Sequence, residues 1–204
     1  MYDFNYHRPS NVAEAASLLA SAEDGTLLAG GQTLIPTLKL RLARPSDVID
    51  LSGIADLSGI KVDGGKVTIG ATTRHADVAA SAEVREAIPA LAALAGMIGD
   101  PQVRNSGSIG GSIANNDPAA DYPAAVLGLN ATVETNKRTI AADDFFTGIF
   151  ETALEADEIV TAVSFPLSSR AGYSKFPQPA SRFALVGVMV AETGGGVRVA
   201  VTGA

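Results

Sequence analysis

The 204-residue sequence contains no cysteine and no tryptophan, and its only histidines are His7 and His75. Without cysteine, the chain cannot form disulfides, use a thiol nucleophile or hold a cysteine-ligated iron–sulfur cluster of its own. Two histidines also disfavour a zinc site built on histidine ligands. We therefore predict no metal site in this chain.

Basic side chains are also few, because 15 Lys and Arg face 22 Asp and Glu and leave a net charge of −7. Such a balance disfavours nucleic acid, which requires clustered cations to displace its counterions, and it disfavours anionic membrane surfaces. No apolar run approaches the ~18 residues of a membrane span. The N-terminal MYDFNYHRPSN lacks the basic and then apolar pattern of a signal peptide. We expect a cytoplasmic protein that binds neither nucleic acid nor membranes.

Two glycine-containing loops stand out in the sequence. The stretch Asp100–Asp121 contains Gly107, Gly110 and Gly111 among small and polar residues, and Ala29–Thr33 reads AGGQT after an apolar run. Glycine lets a ligand approach the backbone closely, and successive free N–H groups form a concave anion site. Two such loops could close on one diphosphate from opposite sides. Either loop alone is equally consistent with an ordinary tight turn.

The first ~50 residues predict a small α/β unit, in which a strand, a glycine turn and a helix would place free N–H groups on a phosphate. Asn11 is the expected N-cap of its first helix, with Glu14 at capping-box spacing. The predicted strands are residues 2–6, Thr26–Ala29 and Asp47–Leu51, and the second helix is Thr33–Leu42.

The remaining sequence predicts mixed helices and antiparallel strands. A helix over Glu83–Ile98 should be interrupted at Pro89, and Asp117 should cap a helix that starts at Pro118. Thr72 or Thr73 should cap the short helix that carries His75. The predicted strands are Ile60–Val62, Lys66–Ile69, Ala131–Glu134, Arg138–Ala141, Ile159–Phe165, Phe183–Ala191 and Val197–Val201.

The final two predicted strands stand alone, and an isolated hairpin is marginally stable in water. We therefore expect that the chain has lost a C-terminal portion, or that a partner covers this hairpin.

No catalytic constellation emerges from the sequence. Neither glycine loop matches the dinucleotide or P-loop fingerprints. The pairs Asp117/Asp121 and Asp143/Asp144 read as helix caps, and Ser108 has no evident histidine partner. His75 reads as a surface helix residue. We predict no catalytic residue.

Taken together and in order, several motifs resemble one family, the FAD-binding medium subunits of the molybdenum hydroxylases. That group comprises carbon monoxide dehydrogenase, xanthine dehydrogenase and aldehyde oxidoreductase. The motifs are AGGQTLIP at 29–36, TRHAD at 73–77, DPQVRN at 100–105, SIGGS at 108–112, DPAAD at 117–121, EIV at 158–160 and FALVGV at 183–188.

The resemblance implies an α+β, two-lobed FAD-binding fold of the vanillyl-alcohol-oxidase (PCMH) type, with the start of a third C-terminal domain. The N-terminal α/β lobe would cover residues 1–55 and the second α+β lobe residues 56–168. Residues 169–204 would begin the C-terminal domain, which we expect to be truncated.

The same resemblance implies the cofactor site, with the two glycine loops on the phosphates. Asp121 would bind the ribityl or adenosine side, Val160 would line the adenine or ring pocket through its backbone, and Phe183 would lie against the isoalloxazine. Pro177 argues against the flavin contact that some relatives make with a lysine near Lys175. The implied FAD-binding residues are Ala29, Gly30, Gly31, Gln32, Thr33, Leu34, Ser108, Ile109, Gly110, Gly111, Ser112, Asp121, Val160 and Phe183.

The implied function is that of an electron-transfer oxidoreductase subunit. It would pass electrons from an iron–sulfur subunit through FAD to NAD or another acceptor, in a dimerised complex with that subunit and a large molybdopterin-binding subunit. The missing acid–base residues agree with this reading, because a flavin supplies the chemistry. Two alternatives remain: an assembly module of such a complex that binds no flavin, and a stand-alone flavin oxidase.

Overall fold

The structure, a computed structural model, describes all residues from 1 to 204. It combines helices with four sheets, which confirms the mixed helix and strand content predicted from the sequence. Buried apolar side chains form one large core of 29 residues and a separate core of six, in which Ile159 packs with residues of the N-terminal part of the chain. None of the helices is long and apolar enough to cross a membrane.

The N-terminal unit is a three-stranded parallel sheet in the order β1-β3-β2, with connecting helices. Its elements are β1 (Asn5–His7), α1 (Val12–Ser21), β2 (Gly25–Leu28), α2 (Leu34–Lys39) and β3 (Asp47–Asp50). Asn11 caps α1 as predicted, because its side chain accepts a hydrogen bond from the Glu14 N–H at 2.9 Å. The Glu14 carboxylate returns to the N–H of Ser10, also at 2.9 Å, rather than to that of Asn11.

The second unit surrounds an antiparallel sheet in the order β4-β5-β10-β6-β7. Its first elements are β4 (Ile60–Asp63), β5 (Lys66–Gly70), α3 (His75–Ala80), α4 (Ala82–Ala87), α5 (Pro89–Gly96), α6 (Pro101–Arg104), α7 (Ile109–Asn115) and α8 (Asp121–Gly128). They are followed by β6 (Thr132–Thr135), β7 (Thr139–Ala141), α9 (Ala142–Phe145), β8 (Phe146–Gly148), β9 (Glu151–Thr152) and β10 (Val160–Pro166). The helical run restarts at Pro89 as predicted.

Two predicted helix caps in this unit are wrong. Helix α8 starts at Asp121, and Asp117 instead accepts from the Ala119 N–H at 2.9 Å, within a turn that precedes the helix. The hydroxyl of Thr73 donates to the carbonyl of Gly59 at 3.0 Å and caps nothing. In both cases a polar side chain has found a backbone partner other than a helix end, which spacing alone could not reveal.

A third sheet follows, made of β11 (Ala171–Pro177), β12 (Ala184–Thr193) and β13 (Gly196–Thr202). Strand β11 is not predicted from the sequence, because its AGYSKFP has small residues and a terminal proline. With β11 paired to it, β12 is the central strand of the sheet instead of half of a hairpin. Its inner side chains belong to the large core, which therefore extends over the second unit and this sheet; they are Met189, Ala191 and Ala200. The exposed outer side chains include Phe176, Val186, Val190, Val197, Val199 and Val201.

Glu158 ties the β6–β7 turn to the segment before β10. Its fully buried carboxylate accepts two hydrogen bonds from the Arg138 guanidinium, both at 3.0 Å, one from the Thr135 hydroxyl at 2.7 Å and one from the Glu155 N–H at 3.0 Å. Bonding to Arg138 lowers the pKa of Glu158 from 4.5 to about 2, although burial opposes the shift.

We predict that Glu158→Gln lowers the free energy of unfolding by about 1–3 kcal/mol at pH 7, because charge-assisted bonds to a buried group are lost. Since the pKa of Glu158 is depressed in the folded state, this contribution is complete above 4.5 and disappears as pH falls towards 2. Urea denaturation at pH 7 and pH 3 measures both effects. The matched control is Glu192→Gln, which breaks the exposed pair with Arg170 and should change little. An equal loss in both variants would contradict this account.

Candidate functional site

A cavity of about 570 Å³ lies where the glycine loops meet the N-terminal sheet, the five-stranded sheet and the third sheet. Its volume falls within the ~300–1,000 Å³ typical of small-molecule sites. The N-terminal unit contributes the segment from Ala29 to Leu34, the second unit contributes the start of α7, and the third sheet contributes the residues just before β12. The cavity is therefore assembled from parts of the chain that are remote in sequence.

The two glycine loops touch each other at the wall of this cavity. The Ser106 hydroxyl donates to the carbonyl of Gly30 at 2.8 Å. A Cβ atom at Gly30 would lie 2.2 Å from the carbonyl oxygen of Ser106 and 2.6 Å from the Cα of Gly107. No side chain can fit there, so glycine at position 30 is what allows the loops to meet.

The first glycine loop leaves its backbone donors free. None of the N–H groups of residues 30–34 donates to a protein acceptor. Gly31 has a φ of +68°, in the left-handed region that favours glycine. Consecutive unpaired N–H groups along the wall of a cavity form a site for an anionic ligand.

Most backbone N–H groups of the second glycine loop donate to carbonyl oxygens within the protein. The N–H of Ile109 donates to Thr73, and that of Gly110 donates to Ala71 at 2.8 Å. A Cβ at Gly110 would lie 2.5 Å from the Cβ of Ala71, so this glycine permits α7 to pack against the segment after β5. Gly110 therefore has a packing role in addition to lining the cavity.

Gly111 is another glycine of the second loop that faces the first loop. A Cβ there would have two neighbours, the Ser108 hydroxyl at 3.2 Å and the Cβ of Ala29 at 3.7 Å. Its N–H makes only a long contact of 3.4 Å with Ser108. A ligand held between the loops would therefore meet Gly111 directly.

The structure gathers the residues singled out from the sequence around this cavity, with one exception. Ile109 is fully buried in the large core, and because its N–H is bonded to Thr73 it offers the cavity neither a side chain nor a donor. The residues that line the cavity are Ala29, Gly30, Gly31, Gln32, Thr33, Leu34, Ser108, Gly110, Gly111, Ser112, Asp121, Val160 and Phe183.

Asp121 forms a buried ion pair at the edge of the cavity. Its two carboxylate oxygens accept from the Tyr173 hydroxyl at 2.6 Å and from the Lys175 ammonium at 2.9 Å. Both side chains of the pair are almost fully buried, at 4% and 2% exposure. Burial raises the pKa of Asp121, against the hydrogen bonds from Tyr173 and Lys175 that lower it. The pair attaches β11 to the first residue of α8.

The structure overturns the interpretation of His75 as a surface residue. Its side chain is only 4% exposed, it lines the cavity, and its ring lies 5.3 Å from that of Tyr122. Val78, three residues further along α3, is also buried. Because residues three apart share a helix face, the spacing of His75 and Val78 was the signal that could have placed this histidine inside.

A family model described as the FAD-binding domain in molybdopterin dehydrogenase matches residues 2–168 of this chain. The chain is 39% identical over 190 residues to the medium subunit of nicotine 6-hydroxylase from Paenarthrobacter nicotinovorans, covering 91% of this chain and 67% of that one. It is also 39% identical over 195 residues to the carbon monoxide dehydrogenase medium chain of Hydrogenophaga pseudoflava, covering 92% and 68%. The chain thus spans about two thirds of the length of these relatives.

Solved structures of similar proteins share this fold. Carbon monoxide dehydrogenase from Hydrogenophaga pseudoflava, in a form lacking the Mo-pyranopterin moiety, superposes with a TM-score of 0.92 at 39% identity over 98% of this chain and 74% of that one. Quinoline 2-oxidoreductase from Pseudomonas putida 86 superposes with a TM-score of 0.92 at 29% identity, with the same coverage.

We predict that Asp121→Asn lowers the free energy of unfolding by roughly 3–5 kcal/mol, because it leaves the Lys175 ammonium buried without a counter-charge. Lys175→Met should cost a comparable amount by stranding the carboxylate. Urea denaturation measures both losses. Asp63→Asn is the control, since it breaks the exposed Lys61–Asp63 pair and should change stability little. If Asp121→Asn were no more damaging than this control, the pair would not be a structural tie.

Proposed function

The chain belongs to the family of FAD-binding domains in molybdopterin dehydrogenases, and we propose that it is the electron-transfer subunit of a molybdenum hydroxylase. Its cofactor is FAD, and its relatives are oxidoreductase subunits. In this proposal the subunit receives electrons from an iron–sulfur partner and passes them through FAD to NAD or another acceptor.

The meeting of the two glycine loops carries this proposal. FAD contains a diphosphate, and the unpaired N–H groups of residues 30–34 provide an anion site on the cavity wall. The cavity lining includes one cationic side chain, Arg182, and no lysine, and at the first loop the backbone N–H groups would bind the phosphates. Bound FAD would supply the redox chemistry.

The other cofactor contacts proposed here follow from the same cavity. Val160 lines it at the start of β10 and would contact FAD through its backbone. Phe183 is half exposed at the cavity wall, where its ring could lie against the isoalloxazine. Asp121 would accept from a ribityl or adenosine hydroxyl, using lone pairs that Tyr173 and Lys175 leave over.

The proposal also includes partner chains. Because the chain has no cysteine, its electron source would be an iron–sulfur subunit, and substrate would bind on a large molybdopterin-binding subunit. The complex would be cytoplasmic and dimerised. The names of two relatives support this part of the proposal. One is a carbon monoxide dehydrogenase medium chain, and the other is a xanthine dehydrogenase FAD-binding subunit.

We predict that Gly111→Val weakens FAD binding at least tenfold while the protein still folds. A valine would project between the loops, where only Ser108 and Ala29 now stand. Titration of FAD into the apo-protein, followed by flavin fluorescence, measures the dissociation constant. Gly172→Val is the matched control, because that strand glycine has open space around it and lies outside the cavity. Unchanged affinity in Gly111→Val would rule out a ligand between the loops.

The subunit assignment predicts different behaviour for the isolated chain and the complex. Purified with FAD, the chain should show flavin absorption in the visible but no reduction by any hydroxylase substrate. Once it is combined with its iron–sulfur and molybdopterin partners, substrate should bleach that absorption. A chain without visible absorption after FAD addition would favour the assembly module, and substrate oxidation by the isolated chain would favour the stand-alone oxidase.

A further inference from the structure

Two buried polar groups beside the cavity have no hydrogen-bond partner. They are the Nδ1 of His75 and the hydroxyl of Tyr122, whose side chain is fully buried. Nearly all buried polar groups in folded proteins are paired, so each exception requires a cause. Both groups lie in adjacent rings, with centroids 5.3 Å apart.

The imidazole of His75 lies against the second glycine loop. The backbone N–H of His75 donates to the backbone carbonyl of Gly107 at 3.0 Å. A Cβ at Gly107 would lie 2.6 Å from the His75 Nε2, so glycine is required for the loop to lie over the ring. Both His75 and Gly107 line the cavity, and Nε2 is the ring nitrogen nearest the loop.

The surroundings determine the protonation of both rings. Burial, together with the Arg104 charge, lowers the pKa of His75 to about 4, so the ring is neutral at neutral pH and has one donor and one acceptor. Burial also raises the pKa of Tyr122, with a further contribution from Asp121, and its hydroxyl keeps its proton. The neutral ring can therefore carry its proton on Nε2, the nitrogen that lies next to the second glycine loop.

We propose that His75 is a cofactor-binding residue, whose Nε2–H donates to an oxygen of the FAD diphosphate. The inference rests on the proposed FAD site and adds a donor from beneath the second loop. In that loop the N–H groups of Ile109 and Gly110 are already bonded within the protein, so the ring would add to the few donors that remain.

The test compares the stability of the apo-protein with its affinity for FAD in three variants of the chain. His75→Phe and Tyr122→Phe remove atoms that have no partner in the protein, so neither should destabilise the apo-protein in urea. His75→Phe should weaken FAD binding by tenfold or more, whereas Tyr122→Phe should leave it unchanged. His75→Gln, which retains a donor, should recover part of that loss. Tyr173→Phe is the control, because its hydroxyl is bonded to Asp121 and its loss should lower stability.

A second readout is the tautomer of His75, observed by nitrogen NMR of the side chain in the FAD complex. We expect the proton on Nε2 in both the wild type and Tyr122→Phe. Wild-type FAD affinity in His75→Phe, or a proton on Nδ1 in the complex, would overturn the inference while leaving the FAD site intact. Failure of the wild type to bind FAD would overturn the proposed function, and this inference with it.

Discussion

The close approach of the two glycine loops is the contact on which the architecture of the site depends. At Gly30 the backbone of the N-terminal unit meets the carbonyl of Ser106, at a distance that excludes any Cβ. The contact joins a parallel α/β unit to an antiparallel sheet unit, and the cavity lies beside it. A larger residue would separate the units and open the cavity, because backbone atoms cannot move aside as a flexible side chain can.

Buried polar groups hold the other walls of the cavity. Asp121 and Lys175 connect α8 to the third sheet, and Glu158 with Arg138 fixes the segment that leads into β10. Such pairs specify a geometry more than they add stability, since removal of one partner strands the other in a medium of low polarity. His75 differs, because its ring nitrogens find no partner inside the protein and the cavity beside it is where one can bind.

The local predictions that succeeded depended on neighbouring residues only. The N-cap at Asn11 and the helix restart at Pro89 follow from short-range backbone chemistry. Between the predicted strands Ile60–Val62 and Lys66–Ile69, Gly64 and Gly65 have positive φ angles, which glycine adopts without strain. The failures involved partners distant in sequence: β11 is stabilised by pairing with β12, and α8 begins at an aspartate that Lys175 holds from 54 residues away.

By itself, the sequence determined that the chain holds no metal-binding cysteine, that its strands and helices are mixed, and that two glycine loops are its distinctive feature, since composition and short motifs express these properties directly. Only the tertiary structure decided which backbone N–H groups are free to bind a ligand. Those of residues 30–34 have no acceptor in the protein, whereas most of those in the second loop do. It also decided that His75 is inside and that Asp121 is paired. The physical reason is that a free donor or a buried charge is defined by what surrounds it in three dimensions, and those surroundings come from remote parts of the chain.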